Sequence, residues 1–375
     1  MKRKIDFIKA LAVFGGTVLG VGIFGLPYIA LQTGFFVLVL YFLFGVGVAI
    51  TIHYFLGEVA RDTQRIARIP GYAEEYLGQR AKKFSLIVSS AGLAGALLAY
   101  LILGSQFLYL FLSPFLGGSF LFYLLVFFVA GSFLIYRGIE TIASFQLVIQ
   151  AVLIFLLLFF FFKAFPFLNL ENLFTFDVRS VVLPYGAVLF SLWGIALVPE
   201  VKEMVERDRK RLLAVIASGI IIVALCYIFF TFIVLGASGA GTSRDAISGF
   251  SKSIGNKIIN LGFIFGLIAT FTSFITLGLT LKKIFWYDLK LPQNISCLIA
   301  CFAPLILFLF GLRDFIDVIG LTGAIFLGME GIIVILIYRS FLKKRFQRQA
   351  GFHTYFLIFL LLAGMVTELI YFFLR

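Results

Sequence analysis

The sequence predicts an all-α polytopic membrane protein of about 11 transmembrane helices, two of which, the first and the sixth, are discontinuous. Three observations predict it. The 375 residues are 62% hydrophobic and only 13% charged, with a mean hydropathy of +1.10. That is more apolar surface than a water-soluble domain can bury. The stretch Gly15-Gly16-Thr17-Val18-Leu19-Gly20-Val21-Gly22-Ile23-Phe24-Gly25-Leu26-Pro27 lies inside an apolar run from about Ile5 to Leu31 and carries five glycines and a proline. These residues are the least suited to a continuous helix. The segment Pro184 to Pro199 repeats the pattern, since Gly194 precedes Pro199 at the interval that separates Gly22 from Pro27.

Unwound backbone inside hydrocarbon is tolerated only where protein buries it or it lines a cavity, because each unsatisfied N–H or C=O costs several kcal/mol. Broken segments at matching places in two halves therefore point to the substrate site of an inverted-repeat transporter.

Taken in order, the first span starts after Met1-Lys2-Arg3-Lys4. This start imitates a secretory signal, but its apolar run is too long and lacks a small-x-small cleavage site, so it reads as a retained span. Further spans are expected at Phe35 to Val59, Phe84 to Leu112, Ser119 to Tyr136 and Ile142 to Phe165. The broken sixth runs from Val181 to Val201, followed by Leu212 to Leu235, Ile258 to Phe285, Ile295 to Gly311, Phe315 to Phe341 and Tyr355 to Leu374. Five spans per unit invert the second unit relative to the first. Residues 1–375 thus form one transporter domain, with repeats at 5–165 and 181–341 and an accessory eleventh helix at 352–375. The loop Pro70 to Gly78 has helical spacing and is expected along the cytoplasmic surface. Pro166 to Ser180 and Gly236 to Gly255 are expected as external gate or lid loops.

The net charge of +13 comes from basic residues in short loops. These are Lys2 to Lys4; Arg61, Arg65, Arg68, Arg80, Lys82 and Lys83; Lys202 to Arg211; Lys282, Lys283 and Lys290; and Arg339 to Arg348. About three quarters of all Lys and Arg fall on this one side, which the positive-inside rule makes cytoplasmic. The N-terminus is then cytoplasmic, the C-terminus extracytoplasmic and the bilayer the cell membrane. The charge reflects topology, so no nucleic-acid partner is expected. Cys226, Cys297 and Cys301 lie in apolar stretches and read as core packing.

Chemical motifs are few. Gly20 to Gly25 spells Gly-x-Gly-x-x-Gly, but no strand precedes it, which excludes a dinucleotide reading. The sequon Asn294-Ile295-Ser296 falls on the cytoplasmic side. No Ser/His/Asp set or Cys/His cluster appears, so an enzyme, a cofactor and a resident metal beyond a coupling Na⁺ are not expected.

Gly16 to Pro27 resembles the first-helix signature of the amino acid/auxin permease family and its bacterial aromatic amino acid permease relatives. Phe190-Ser191-Leu192-Trp193-Gly194 with Pro199-Glu200 resembles that family's sixth helix, and Thr272-Ser273-Phe274 with Leu277-Gly278 its eighth. The likeness runs over about Ile5 to Lys344. It implies the leucine-transporter fold and secondary transport of amino acids.

A substrate site follows at the two breaks. The N–H groups of Val21 and Gly22, beyond Thr17, Val18 and Gly20, open a half-helix whose dipole suits a carboxylate. The carbonyls of Val18, Phe190, Ser191 and Leu192 can accept from an ammonium group. Trp193 beside Gly194 can wall the site, and Tyr100 can cover it. Ala269, Thr272 and Ser273 share one helix face as hard oxygen ligands for Na⁺. Resemblance to sodium-coupled members of the wider fold adds the carbonyls of Gly16 and Leu19. The competing coupling group is Glu330, an acid well inside the tenth span. His53, Glu200 and Glu368 rank behind it. The expected function is import of a neutral or aromatic amino acid with Na⁺ or H⁺. A polyamine or organic-cation carrier, a non-transporting sensor and a channel are the alternatives.

Overall fold

The computed structural model describes residues 2–63, 67–138, 142–205, 208–255 and 259–374. Arg65, Arg207 and the Ile258 start of the eighth span lie outside them. The described residues are helical almost throughout, without strands.

The first span is α1 (Lys2–Val18) and α2 (Gly22–Thr33), bent by 52° at the break. Next come α3 (Phe35–Asp62), a short α4 (Ile69–Leu77), α5 (Gln79–Leu116), α6 (Phe120–Arg137) and α7 (Ile142–Ala164). The sixth span is α8 (Pro184–Ser191) and α9 (Val198–Met204). Then follow α10 (Arg209–Ser238), a short α11 (Ile247–Ile254), α12 (Ile259–Lys283) and α13 (Gln293–Leu309). The tenth span is α14 (Phe315–Leu321), a wide π-helical turn (Thr322–Leu327) and α15 (Gly328–Phe346), and α16 (His353–Leu374) closes the chain. Eight helices or joined helices are long and apolar enough to cross a membrane, the bent pair makes a ninth, and the shorter apolar stretches Ala151–Phe167 and Gln293–Leu309 complete the eleven. Both predicted breaks are present.

Burial sorts the spans. The third, α5, and the broken sixth are the most enclosed of these eight, with small residues Gly92, Gly95, Ala96 and Gly104 letting neighbouring helices close on α5. The outer faces of α6, α7 and α16 expose Phe, Leu and Val, as lipid contact requires. The three cysteines are free, Cys297 and Cys301 buried one helical turn apart in α13 and Cys226 half-buried.

The basic connections gather on one face. Arg209 pairs with Glu58, Lys82 with Glu74, Ser340 donates to the Tyr76 carbonyl, and Arg68 donates to the Thr280 carbonyl. Two buried lysines cap helices there. Lys202 donates to the Ala60 carbonyl at the end of α3, and Lys282 to the Ile135 and Tyr136 carbonyls at the end of α6. A cation at a helix C-terminus satisfies orphan carbonyls and opposes the dipole. One expectation is corrected here. The loop helix α4 does not simply lie along the surface, because Ile69 to Ala73 are buried against α5 and α15 while Glu75 and Leu77 stay exposed. Its apolar first turn has to be covered, and burial pushes the Tyr72 hydroxyl above its ordinary range.

The opposite face is closed. Gly186 of α8 packs so tightly on α14 and the π-turn that a Cβ there would strike the backbone of Gly320, and one at Gly323 would strike Gly186. Above this contact the Arg244 guanidinium pairs with Asp314 and lies 5.5 Å from the centre of the Tyr28 ring. This loop thereby ties α2 to the start of the tenth span.

Candidate substrate cavity at the two breaks

A break leaves helix-end N–H and C=O groups without partners. At the first break, two buried tyrosines from other spans take them. The Gly20 N–H donates to the Tyr227 hydroxyl of α10 at 2.9 Å, and this hydroxyl donates to the Val18 carbonyl at 2.7 Å. The Val21 N–H donates to the Tyr100 hydroxyl of α5 at 3.2 Å. A phenol both accepts and donates, so one ring can stitch both sides of the turn. Within the turn, Gly20 N–H also reaches the Val18 carbonyl at 2.8 Å. Tyr227→Phe removes two hydrogen bonds and is expected to destabilise the protein by about 1–3 kcal/mol. Tyr100→Phe, which removes the contacts to Val21 and Ser273, should cost a similar amount. Thermal unfolding in detergent reads both, and parent-like midpoints would mean that the tyrosines do not hold the turn.

At the second break, α8 stops at Ser191 and residues 192–194 leave the helix. The Gly194 N–H donates to His53 Nε2 of α3 at 3.0 Å. His53 Nδ1 lies 2.7 Å from the Ala49 carbonyl and so carries the ring proton. The neighbouring Trp193 Nε1–H donates to Glu330 Oε2 at 2.8 Å, and Ser89 Oγ donates to Glu330 Oε1 at 2.5 Å. Glu330, 6% exposed, thus joins the third, sixth and tenth spans. It lies three residues past the π-turn, and turns of this kind are frequent at functional sites.

A cavity of about 100 Å³ lies between the breaks. Thr17, Val18, Gly20, Gly22, Tyr100, Phe190, Ser191, Trp193 and Gly194 border it, and so does Glu330. Val21 and Leu192 do not, being packed into the core. The cavity continues past Thr276 and Thr280 to Arg68, Ile69 and Pro70, so it opens toward the α4 face. At that mouth Arg68 also lies 4.0 Å from Glu200 of α9.

The polar groups differ from expectation in two ways. The Val18 carbonyl and Val21 N–H, expected to meet substrate, are engaged by Tyr227 and Tyr100, which leaves Gly22 as the residue of this turn that borders the cavity free of both tyrosines. Tyr100 is therefore a support of the break as well as a wall. On α12 the Thr272 hydroxyl donates back to the Ile268 and Ala269 carbonyls at 2.9 and 3.2 Å, a common habit of helical threonine. Ser273 faces the Tyr100 hydroxyl, and Leu19 borders a small apolar space with Phe160 and Phe265. None of Gly16, Leu19, Ala269, Thr272 and Ser273 borders the main cavity.

Sequence reasoning missed Ser89, Arg68, Tyr227, Thr276 and Thr280. Ser89 had a readable signal, because Ser89, Gly92, Ala96 and Tyr100 recur on one face of α5. Tyr227 had none, as one of 15 tyrosines in an unbroken apolar span.

A helical membrane protein with two broken spans around a cavity that opens on one face belongs to the class of secondary transporters with the leucine-transporter fold. Three solved structures share it. Mhp1, a nucleobase-cation-symport-1 family transporter in a closed conformation with bromovinylhydantoin bound, superposes with a TM-score of 0.70 at 12% identity, covering 97% of this chain and 91% of its own. MhsT in complex with L-phenylalanine gives 0.67 at 15% identity and 98% coverage of both chains. The Eremococcus coleocola manganese transporter, in complex with an aromatic bis-isothiourea compound, gives 0.70 at 12%, covering 98% of this chain and 87% of its own. At these identities the likeness is one of fold. A direct search of curated proteins finds no match.

The sequence profile of the tryptophan/tyrosine permease family matches residues 3–371, and the chain belongs to that family. It is an integral multi-pass membrane protein and a transporter rather than an enzyme. The match lies on the aromatic-permease side of the resemblance, and the amino acid/auxin permease name is not carried by it.

Proposed function

We propose that the protein imports an aromatic amino acid together with a proton across the cell membrane by alternating access, with Glu330 as the coupling group. One observation carries this reading. A buried carboxyl on the cavity wall accepts from Ser89 and from Trp193, so its proton state bears directly on the break that must move. The substrate class rests on the family and on apolar walls such as Leu93, Phe190 and Leu327, which suit a flat ring. The phenylalanine bound in the fold relative MhsT agrees with it.

In this reading the N-terminus and the α4 face are cytoplasmic, and the C-terminus is outside. Residues 5–165 and 181–341 act as the inverted repeats, residues 352–375 are accessory, and no cofactor besides the coupling ion takes part. The engagement of Thr272 with its own helix favours H⁺ over Na⁺. Uptake of tryptophan, tyrosine and phenylalanine into proteoliposomes tests it, comparing an inward pH gradient with an inward Na⁺ gradient. Uptake driven by the pH gradient and unchanged in Thr272→Ala is expected. Sodium-driven uptake lost in that variant would move coupling to α12, and no uptake under either gradient would sink the transport reading.

A further inference from the structure

Trp193 and Gly194 are held from two sides by two titratable side chains. Glu330 takes the indole N–H, and His53 takes the Gly194 N–H. We propose that His53 is a positioning residue for the broken sixth span, holding Gly194 only while its imidazole is neutral, so that a proton taken up on Nε2 releases the break. The proposal rests on the geometry of the break and not on which solute crosses.

The argument is one of donors and acceptors. The Nδ1 proton is committed to the Ala49 carbonyl, which leaves the Nε2 lone pair as the acceptor for Gly194. In the imidazolium both nitrogens are donors. An Nε2–H would then face the Gly194 N–H, and attraction becomes repulsion. His53 is fully buried and Gly194 is buried beside it, so the Gly194 N–H loses its acceptor when Nε2 is protonated. Without this acceptor the N–H that opens the second half of the span is an orphan in a water-poor interior.

The surroundings make the ring a responsive element. Phe14 of α1 meets its edge with centroids 5.8 Å apart, and Trp193 meets it at 5.5 Å. From the tenth span, the Glu330 carboxyl is engaged by the Trp193 indole N–H and by Ser89. Along α3, Tyr54 and Glu58 engage Arg209 of α10. From α9, Lys202 turns to the Ala60 carbonyl. From α15 and α16, Tyr338 and His353 pack on Phe55. Among the described residues, none of these charged groups contacts the imidazole, so its proton changes the Gly194 contact directly.

The protein has two tryptophans, and Trp286, stacked on Tyr287 in the π-helical turn Ile284–Asp288, does not border the cavity. Trp286→Phe therefore leaves Trp193 as a single fluorescent reporter beside His53. An imidazolium quenches indole emission, so purified Trp286→Phe protein in detergent is expected to lose fluorescence on acidification in the histidine range, between about pH 4 and 8.

Glu330 also touches the indole, so the test is made in Trp286→Phe/Glu330→Gln protein, where the transition should remain and adding His53→Gln, whose amide carbonyl can still accept from Gly194, should abolish it. A transition that survives His53→Gln in that background, or no transition there before His53 is changed, overturns the proposal. Should His53→Gln fail to fold, hydrogen exchange at the Gly194 amide of the parent decides. Its protection is expected to fall about tenfold across the same range, and constant protection overturns the proposal. Neither readout requires a transported substrate, so failure here is separate from failure of the transport reading.

Discussion

Glu330→Gln is expected to abolish accumulation driven by a pH gradient while leaving exchange of substrate across the membrane measurable. A gradient of about two pH units is worth about 2.7 kcal/mol per proton, enough for a hundredfold accumulation at one proton per substrate. An amide cannot take up that proton, so the accumulation ratio should fall to about one, a loss of roughly a hundredfold. The amide can still hold both partners, its oxygen accepting from Trp193 and its nitrogen donating to the Ser89 hydroxyl, but without the carboxylate's charge. Exchanging charge-assisted for neutral hydrogen bonds costs about 0.5–1.5 kcal/mol, which weakens substrate affinity by no more than about tenfold. Counterflow in preloaded proteoliposomes separates the two effects. Accumulation that survives in Glu330→Gln would remove the tenth span from the coupling mechanism and leave the carboxyl a fastener of the cavity wall.

Gly186→Ala should trap the protein away from the state seen here. A Cβ at Gly186 would lie 2.7 Å from the carbonyl carbon and 2.9 Å from the Cα of Gly320, and closer still to its oxygen. These are backbone atoms that no rotamer change moves. Forcing an extra methyl into a packed contact costs about 1–3 kcal/mol, a factor of about 5 to 150 in a two-state equilibrium. The contact exists only while the face opposite α4 is closed, so the population is expected to shift toward opening on that face. A cysteine at the cavity residue 17, introduced as Thr17→Cys, reports this. A membrane-impermeant thiol reagent should reach it from the α4 face in the Thr17→Cys background, and from the opposite face once Gly186→Ala is added. Uptake should fall at least tenfold while substrate binding remains. Unchanged sidedness would mean that the Gly186 contact does not gate the cavity.

Much of this molecule was written along the chain. Apolar runs of spanning length gave the helices, because bilayer thickness fixes how many residues must be hydrophobic. The glycine–proline intervals at Gly22 to Pro27 and Gly194 to Pro199 gave both breaks, because backbone that cannot stay helical must find a cavity or a partner. Glu330 stood out for the same reason, as a carboxyl with no business in hydrocarbon unless something engages it.

What the chain did not show was who engages whom. Tyr227 and Tyr100 reach the first break from 207 and 79 residues away, and Ser89 reaches Glu330 from 241. Such pairings depend on how helices rotate and pack, and local periodicity is silent about both. The same limit explains α4, whose helical spacing was legible but whose burial depended on α5 and α15 closing over it. It explains His53 too. Its sequence neighbourhood is that of an ordinary span residue, and only tertiary packing sets its lone pair against Gly194. Sequence determined which groups the membrane would leave wanting, since that follows from residue type and length alone. Tertiary structure decided which distant side chain supplies each of them.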